Sequence, residues 1–483
     1  MISRLKLPLS VSLRSCRLNT IIAAFSLLPV IQTHAGSPIH VQDLMSQDSD
    51  PFDGFGKFVD VDGSTAIISA DTAFEDEVTV GAAFVFVRDG GGNWSQQAKL
   101  LASDQSFNDR FGFAVAIDGD VAVVGAHWND DACPGSVLCN SGSVYVFTRD
   151  GTGVWTEQQK LTASDAAGGD EFGFNVAISG QTILVGAPER DEFGEASGAT
   201  YVFTQDMSGT WIETGKLEIQ DPLPSDRTGT RIELEEGLAF VQARRSQDPI
   251  VDNGGAVYVF RHEGGSSWVF ETRLLASDSM FNDVFGSSIS YRNGIAAFGA
   301  IGVDGRFSNS GAAYVFERVS PGVWNELDKL TASDAAFGDQ GFGMSVATSN
   351  GRVIVGAYAD NNENGNDAGA TYVFERTSPT SWTEVAKILT DDGVEDDLFG
   401  HSLGVVDNYL LVGQQVRLMN GMQTGTVYAF RLCPADINNS GQVNGSDLAV
   451  LLAQWGGIGS ADLNFDGVVN GVDLAALLSS WGP

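Results

Sequence analysis

The stretch FGFAVAIDGDVAVVGA at residues 111–126, followed by SVYVFTRDGTGVWTEQQKL at residues 143–161, decides the fold of this chain. Its apolar runs are short and are separated by Asp-Gly and Gly-rich turn signals, a pattern typical of four strands joined by tight turns. Phe-Gly opens the first strand and Gly-Ala ends the second. The third strand is aromatic, and a Trp opens the fourth.

The same unit recurs along the chain. Its Phe-Gly glycines stand at 56, 112, 173, 229, 286, 343 and 400, and Thr228 replaces the Phe of the fourth copy. One such sheet cannot bury both of its faces alone, whereas sheets stacked around an axis bury them against each other. Seven copies therefore predict an all-β, seven-bladed β-propeller. An open solenoid is the alternative, and strands of this type favour the closed ring.

The two ends of the repeat region predict how the ring closes. The seventh unit, residues 399–430, has no Trp-containing fourth strand after it. Residues 39–44 precede the first Phe-Gly and lie where a fourth strand would lie. We expect this N-terminal stretch to complete the seventh blade, because closure removes exposed sheet edges.

The N-terminus carries export signals. Arg4, Lys6, Arg14 and Arg17 precede a short apolar run at 21–31, and a small-residue cleavage site ends at Ala35. This pattern predicts a signal peptide at residues 1–35, with an uncleaved anchor as the alternative. Removing it would take the formal net charge from −35 to −39. The signal peptide, with no later segment apolar enough to cross a membrane, predicts a secreted or cell-surface protein without membrane insertion. The negative charge repels nucleic acids and anionic lipid, so we expect no nucleic-acid partner.

Three cysteines follow the predicted cleavage site. Cys133 and Cys139 lie in one short loop, where the oxidising environment of a secreted protein favours a local disulfide. Cys433 is left without a partner at the end of the repeat region.

The Phe-Gly and Gly-Ala anchors, complete with the following proline at Gly186-Ala187-Pro188, resemble FG-GAP repeats, which also form the propeller heads of integrin α-subunits. The resemblance spans the predicted propeller domain, residues 36–431. It implies a fold rather than one activity. Integrin-type repeats often carry an Asp-rich calcium loop between the two anchors. Here a tight turn such as 117–120 replaces that loop, so we do not expect propeller calcium sites.

Residues 432–483 change character and contain two copies of a 12-residue loop that begin 26 residues apart. Oxygen-bearing side chains stand at loop positions 1, 3, 5, 9 and 12, with Gly at position 6 and a backbone carbonyl at position 7, as in EF-hand calcium loops. The predicted calcium ligands are Asp436, Asn438, Ser440, Gln442, Asn444 and Asp447 in the first loop, and Asp462, Asn464, Asp466, Val468, Asn470 and Asp473 in the second.

Each loop precedes an apolar segment, 448–455 or 474–481. In the first segment Leu448, Leu451, Leu452 and Trp455 recur at helical spacing, so we expect these four side chains to form one buried face and the two helices to pack together. This small α-helical domain resembles a dockerin, the duplicated loop-helix module that attaches secreted bacterial proteins to cohesin domains. The resemblance implies calcium as cofactor and a cohesin-like protein partner. Ser440 replaces the usual Asp at position 5, which implies a weaker first site. Positions 10 and 11 are Gly445-Ser446 and Gly471-Val472, in place of the common Ser-Thr pair.

Loops on one face of the propeller are rich in Asp. Their recurrence in nearly every blade favours a structural role in turns over a cation-binding role. Residues that do not repeat are better candidates for binding a carbohydrate or cell-surface ligand: His127 and Trp128 in blade two, and Arg244 and Arg245 in blade four.

No HExxH or Gly-rich phosphate-binding motif occurs in the sequence. We therefore expect a secreted, non-catalytic binding or anchoring protein rather than an enzyme. In this interpretation the propeller is a ligand- or protein-binding platform, and the calcium-dependent tail docks to a partner. Two alternatives stay open, a secreted hydrolase or lyase that acts on polysaccharide and a propeller lectin.

Overall fold

A computed structural model describes residues 38–47, 53–75, 78–131, 139–245, 253–304, 308–336, 340–349, 351–419, 422–433, 435–438, 443–457, 461, 463, 468–479 and 481. The predicted signal peptide, residues 1–35, lies outside these ranges. The described strands form seven four-stranded antiparallel sheets, and two helices follow them. The predicted fold class, a seven-bladed propeller followed by a small helical domain, is confirmed.

The first strand of the chain, β1 (Ile39–Leu44), belongs to the last blade.
Blade one contains β2 (Val59–Asp62), β3 (Thr65–Ala70), β6 (Ala82–Arg88) and β7 (Trp94–Leu100), with a small hairpin of β4 (Phe74–Glu75) and β5 (Val78–Thr79).
Blade two contains β8 (Phe111–Asp118), β9 (Val121–Ala126), β10 (Ser143–Arg149) and β11 (Trp155–Leu161).
Blade three contains β12 (Asn175–Ser179), β13 (Thr182–Ala187), β14 (Ala199–Gln205) and β15 (Trp211–Lys216).

Blade four contains β16 (Ile232–Glu235), β17 (Leu238–Ala243), β18 (Ala256–Gly264) and β19 (Ser267–Leu274).
Blade five contains β20 (Phe285–Arg292), β21 (Ile295–Ala300), β22 (Ala312–Ser320) and β23 (Val323–Leu330).
Blade six contains β24 (Gln340–Ser349), β25 (Arg352–Ala359), β26 (Ala370–Ser378) and β27 (Ser381–Ile388).
Blade seven contains β28 (Phe399–Val406), β29 (Tyr409–Met419), β30 (Met422–Arg431) and β1; the tail helices are α1 (Gly445–Ala453) and α2 (Gly471–Ser479).

The repeated glycines lie where neighbouring blades touch. A Cβ added to Gly125 of blade two would collide with the carbonyl oxygen of Gly173 in blade three. The Phe-Gly glycine itself has φ near +90°, a conformation that side chains rarely adopt. The same glycine-on-glycine contact joins Gly186 to Gly229, Gly299 to Gly343, Gly356 to Gly400 and Gly413 to Gly56. The last of these pairs joins blade seven to blade one.

The repeated aromatic residues lie in the apolar cores between neighbouring blades. Phe111 is buried and packs edge-on against Tyr145, with ring centroids 5.4 Å apart. The equivalent pairs are Phe172–Tyr201, Phe285–Tyr314, Phe342–Tyr372 and Phe399–Tyr428, with separations of 5.3 to 5.6 Å. These residues are therefore packing residues, as the repeat predicts.

The ring closes as the sequence predicts. Strand β1 pairs antiparallel with β30, so that Leu44 lies opposite Val427. Leu44 is only 1% exposed and belongs to a core cluster that contains Phe55 and Ala66 of blade one. The N-terminal strand thus packs against both blades at the junction. In the part of the chain that the structure describes, no helix is long and apolar enough to cross a membrane.

We expect Leu44→Ala to destabilise the closed ring by about 2–4 kcal/mol, because it leaves a cavity at the junction of the first and last blades. Thermal unfolding followed by far-UV circular dichroism measures the effect. Met45→Ala is the matched control, since the neighbouring Met45 side chain is 41% exposed. Equal melting temperatures for the two variants would contradict the role of β1 as a latch.

Candidate calcium loops and the mouth of the propeller

The first tail loop is organised around the carboxylate of Asp447, at position 12. Asp447 is fully buried, and it accepts hydrogen bonds from the backbone amides of Asn438 (3.1 Å) and Asn444 (2.9 Å). Asn444 caps the N-terminus of α1 by accepting the Ser446 amide at 2.8 Å. The loop is therefore folded back on itself, and Asp447 stands in the first helical turn, where the helix dipole favours a negative charge.

The second loop repeats this arrangement. Asp473 is fully buried and accepts the backbone amides of Leu463 (2.6 Å) and Asn470 (2.7 Å). Asn470 in turn accepts the Val472 amide at 2.8 Å. The duplicated sequence thus produces a duplicated local structure.

The described residues of both loops suit a hard cation. Asp436, Asn438, Asn444 and Asp447 supply oxygen atoms in the first loop, as do Val468 (through its carbonyl), Asn470 and Asp473 in the second. Oxygen donors of this kind are those that calcium prefers. Ser440, Gln442, Asp462, Asn464 and Asp466 lie outside the described residues. The complete set of twelve ligands stays a prediction.

Each tail helix begins three residues before the apolar segment that predicts it and ends two residues before the end of that segment. Leu451 and Leu477 are buried in a common core with Ile437 and Val469. Helix α1 ends at Ala453, so Trp455 lies beyond it, and the Leu452 and Trp455 side chains are 54% and 49% exposed. The expectation that all four apolar side chains of the first segment, 448–455, lie on one buried face is therefore wrong. Leu452 follows the buried Leu451, and consecutive helical positions point in different directions.

Carboxylates in the acidic loops of the propeller accept hydrogen bonds from side chains of the next blade. Asp104, in the loop after blade one, accepts the Tyr145 hydroxyl and the Lys160 ammonium of blade two, each at 2.7 Å. Equivalent Tyr–Asp–Lys sets form around Asp165, Asp278 and Asp334. These carboxylates link successive blades, which supports the structural interpretation of the repeated Asp residues.

His127 and Trp128 lie on the same face, at the mouth of the central channel. The His127 ring stacks 3.9 Å from the Phe113 ring and 5.2 Å from Trp128. His127 is 4% exposed, and its Nδ1 atom has no hydrogen-bond partner among the described residues. Burial, followed by the charges of Lys57 and Arg110, lowers the pKa of His127 to about 3. The imidazole is therefore neutral at physiological pH.

Arg244 and Arg245 belong to a group of arginines in blade four. Arg227 pairs with Glu189 at 2.9 Å, whereas Arg244 and Arg245 make no ion pair within the described residues. Partial desolvation lowers the pKa of Arg244, although this residue is exposed; the charges of Arg227 and Arg245 lower the pKa further, and the charge of Glu189 opposes them. Burial and the charge of Arg244 also lower the pKa of Arg231, at the mouth, to about 10. Positive charges are thus held close together in a strongly acidic protein.

Two acidic side chains connect the blade-two and blade-four candidates. Trp128 hydrogen-bonds to Glu171, and the charge of Glu171 interacts with those of Glu189 and Arg227. We use the name mouth cluster for His127, Trp128, Arg227, Arg231, Arg244 and Arg245. The structure therefore places the four sequence candidates on one rim, although no direct contact joins His127 or Trp128 to Arg244 or Arg245 among the described residues.

Cys139, which follows the blade-two loop, is disulfide-bonded. Cys133, its predicted partner, lies outside the described residues, so the pairing stays a prediction. Cys433 is a free, buried thiol.

A cavity of about 510 Å³ occupies the central channel, lined by the first strands of the blades. Near one end, the Arg231 guanidinium lies 5.8 Å from the centre of the Phe58 ring, which brings together blades four and one across the channel. Asp60 and Glu233 stand at matching positions of these blades on the cavity wall. Burial raises the pKa of Asp60 to about 6. Burial and then the charge of Asp60 raise the pKa of Glu233 to about 8.

Arg231, Asp60 and Glu233 are not among the residues that the sequence predicts for the site. The signal that could have identified them is their position within the repeat. Each stands at a fixed offset from its Phe-Gly pair or from Thr228-Gly229, and the other blades have Ala, Ser, Gly, Asn or Phe at the same offset. A blade-by-blade comparison of inner-strand positions would have shown these residues as departures from the repeat.

Comparisons with known proteins agree with this architecture. The FG-GAP repeat model matches residues 94–147, 155–203, 268–316, 324–374 and 382–430, which make up just over half of the chain. The dockerin type I domain model matches residues 434–479. No curated protein matches the chain.

Two solved structures resemble the chain at low identity. The periplasmic gluconolactonase of Pseudomonas aeruginosa has a TM-score of 0.46 and 12% identity over 70% of this chain and 87% of its own. A protein from Lactobacillus plantarum has a TM-score of 0.44 and 11% identity over 74% of this chain and 94% of its own.

We expect Glu233→Gln to stabilise the propeller at pH 8 and to have little effect at pH 4. Folding raises the pKa of Glu233 above its ordinary value of 4.5 to about 8, so the folded state favours the protonated acid. Stability from this group is complete below about pH 4.5 and is lost as the pH rises towards 8. Thermal unfolding across this range measures it. Glu218→Gln, on an exposed side chain, is the control; equal shifts for both variants would contradict the prediction.

Proposed function

Because the chain belongs to the FG-GAP repeat family and carries a dockerin type I domain, we propose that it is a secreted, non-catalytic anchoring protein whose tail binds a cohesin-like partner in a calcium-dependent manner. In this proposal the propeller is the platform that the tail delivers to an extracellular or cell-surface assembly. The observation that carries the proposal is the outer surface of α2, which follows directly from the second calcium loop.

Helix α2 presents an apolar stripe to solvent. Val472, Ala475 and Leu478 recur at three-residue spacing and are exposed, and the Val472 and Leu478 side chains are 56% and 53% accessible. Leu477 of the same helix is fully buried in the tail core. An exposed apolar stripe on a helix is typical of a surface that docks to a protein partner.

The first repeat presents a more polar version of this stripe. Ser446, Ala449 and Leu452 are the equivalent residues of α1, and all three are exposed. Val472 in place of Ser446 makes the α2 stripe the more apolar of the two. We therefore assign the main partner contact to α2.

The predicted calcium ligands include residues at the N-terminus of each tail helix. Asn470 and Asp473 are predicted ligands, and they are also the residues that hold the N-terminus of α2 through backbone hydrogen bonds. Metal binding at such positions orders the loop and fixes the orientation of the helix that follows. Without calcium, the orientation of α2 and of its exposed apolar stripe would thus no longer be fixed.

We also propose that the mouth cluster binds a ligand that carries an acidic group, an acidic saccharide being the form we test. Arg244 and Arg245 are exposed and make no ion pair within the described residues, and arginine is well suited to paired hydrogen bonds with a carboxylate. Trp128 supplies a neighbouring aromatic surface that is partly exposed. This combination favours binding over catalysis, because the neutral, buried His127 stacks on Phe113 rather than facing an acid partner.

For the tail, we expect Val472→Asp with Leu478→Asp in the full chain to abolish capture of the cohesin-like partner from the native secreted and cell-envelope fraction. The substitutions place charge on an apolar docking surface and leave the predicted calcium ligands in place. Pull-downs in calcium and in EDTA measure capture, and calorimetry confirms that calcium still binds. Ala449→Asp with Leu452→Asp, on the equivalent stripe of α1, is the matched variant.

The wild-type chain should capture its partner in calcium and lose it in EDTA. Equal capture in both conditions would contradict calcium-dependent docking. Equal loss from both pairs of variants would contradict the assignment of the contact to α2.

For the propeller, we expect binding of an oligogalacturonide to weaken by about 100-fold or more in the double variant Arg244→Ala with Arg245→Ala, since each charge-assisted hydrogen bond contributes about 1.5–3 kcal/mol. Calorimetry with the acidic oligosaccharide and a neutral oligosaccharide of equal length measures this. Arg292→Ala, which lies on the cavity wall away from the mouth cluster, is the control. Cleavage of the oligosaccharide during incubation would support the hydrolase or lyase alternative, and equal binding of the neutral sugar would favour a lectin without charge recognition.

A further inference from the structure

The first tail loop contacts the propeller at Asn408. Asn408 lies in the two-residue turn between β28 and β29 of blade seven. Its side-chain Nδ2 donates hydrogen bonds to the Asp436 carboxylate at 3.0 Å and to the Asp436 carbonyl at 3.3 Å. Asp436 is position 1 of the first predicted calcium loop. A propeller residue thus holds a predicted calcium ligand.

The exposure of the equivalent turn residue in most other blades shows that this contact is specific to blade seven. Ser64, Asp120 and Gln181 occupy the same turn position in blades one to three and are exposed, whereas Asn408 is 0% exposed. Glycine occupies this position in blades four to six. Asp436 is also buried, at 1% exposure. The first loop therefore covers the turn of blade seven, where most other blades leave it open to solvent.

A second blade fixes the orientation of the Asn408 amide. Arg352 of blade six donates from Nη1 to Asn408 Oδ1 at 3.3 Å, and its Nε donates to the Glu375 carboxylate at 2.9 Å. Because arginine only donates hydrogen bonds, it selects the amide orientation in which Nδ2 faces Asp436. Glu375, Arg352, Asn408 and Asp436 thus form one connected series.

We propose that Asn408 is a positioning residue for the first calcium loop, so that calcium binding at this loop depends on the propeller as well as on the tail. A position-1 carboxylate needs one oxygen for calcium, and a hydrogen bond to its other oxygen orients it. The inference rests on calcium binding by the tail, and the second loop reports on that premise separately, because Asn470 and Asp473 accept hydrogen bonds from backbone amides of the tail itself.

The contact also compensates for a weakness in the first loop. Ser440 at position 5 removes a carboxylate that the second loop has in Asp466. Fewer charged ligands lower calcium affinity, and an oriented position-1 carboxylate raises it. By reciprocity, calcium in the first loop strengthens the contact between the tail and blade seven. The tail, with its helix α2, would then be held in a fixed position against blade seven.

The test is a calcium titration of the full chain by calorimetry. In an Asp473→Ala background, which removes the second site, Asn408→Ala should weaken calcium binding at the first loop by about 10- to 100-fold, the usual cost of losing an outer-sphere partner. Asn325→Ala makes the same chemical change on an exposed strand of blade five and should leave the affinity unchanged. In the otherwise native chain, Asn408→Ala should leave the second loop unaffected.

A measurement on the unaltered chain covers the case in which Asn408→Ala fails to fold. Calcium should slow hydrogen exchange in a peptide spanning residues 407–412, and this protection should be lost in Asp436→Ala. An unchanged affinity in a folded Asn408→Ala chain, or no calcium-dependent protection at this turn, overturns the inference. If the second loop also fails to bind calcium, the proposed calcium-dependent docking falls with it.

Discussion

The structure depends on the close approach of backbone to backbone between neighbouring blades. At five of the seven blade junctions, a glycine near the end of the second strand meets the Phe-Gly or Thr-Gly glycine of the next blade, and a Cβ on it would collide with a carbonyl oxygen. Ser69 and Gln242 stand at this position in the other two blades. The contact brings the sheets near enough for their aromatic cores to pack. It also explains why the two anchors of the repeat occur together, since each glycine is required by the partner in the adjacent blade. Ring closure follows the same rule, because Gly413 meets Gly56.

Most of the fold could be predicted from the sequence because its physical causes repeat. Seven copies of one register specify seven sheets, and the missing fourth strand of the last copy indicates where β1 must pair. The structural role of residues such as Asp104 was also predictable from recurrence. Its partners, Tyr145 and Lys160, were not, because they lie in the next blade and no local pattern connects them.

Features without repetition were predicted less well. His127, Trp128, Arg244 and Arg245 stand out as departures from the repeat, yet their placement on one rim depends on the ring geometry. The extent of burial in the tail was also misjudged, because short helices bury one stripe rather than every apolar side chain, which leaves Leu452 and Trp455 exposed. The contact between Asn408 and Asp436 had no sequence signal, since an Asx residue in a two-residue turn is ordinary.

Charge separates the parts of the molecule that maintain the fold from those suited to binding. The acidic loops contribute to a net charge of −35, but several of their carboxylates are already paired with Lys, Arg or Tyr of the following blade. They are therefore poorly placed to attract a ligand. Arg244 and Arg245 are in the opposite situation, with like charges nearby and no ion pair in the described chain. Like charges held together in this way oppose folding unless another interaction offsets them. A surface that keeps such a cluster inside an otherwise acidic protein is therefore better explained by an anionic ligand than by the stability of the propeller.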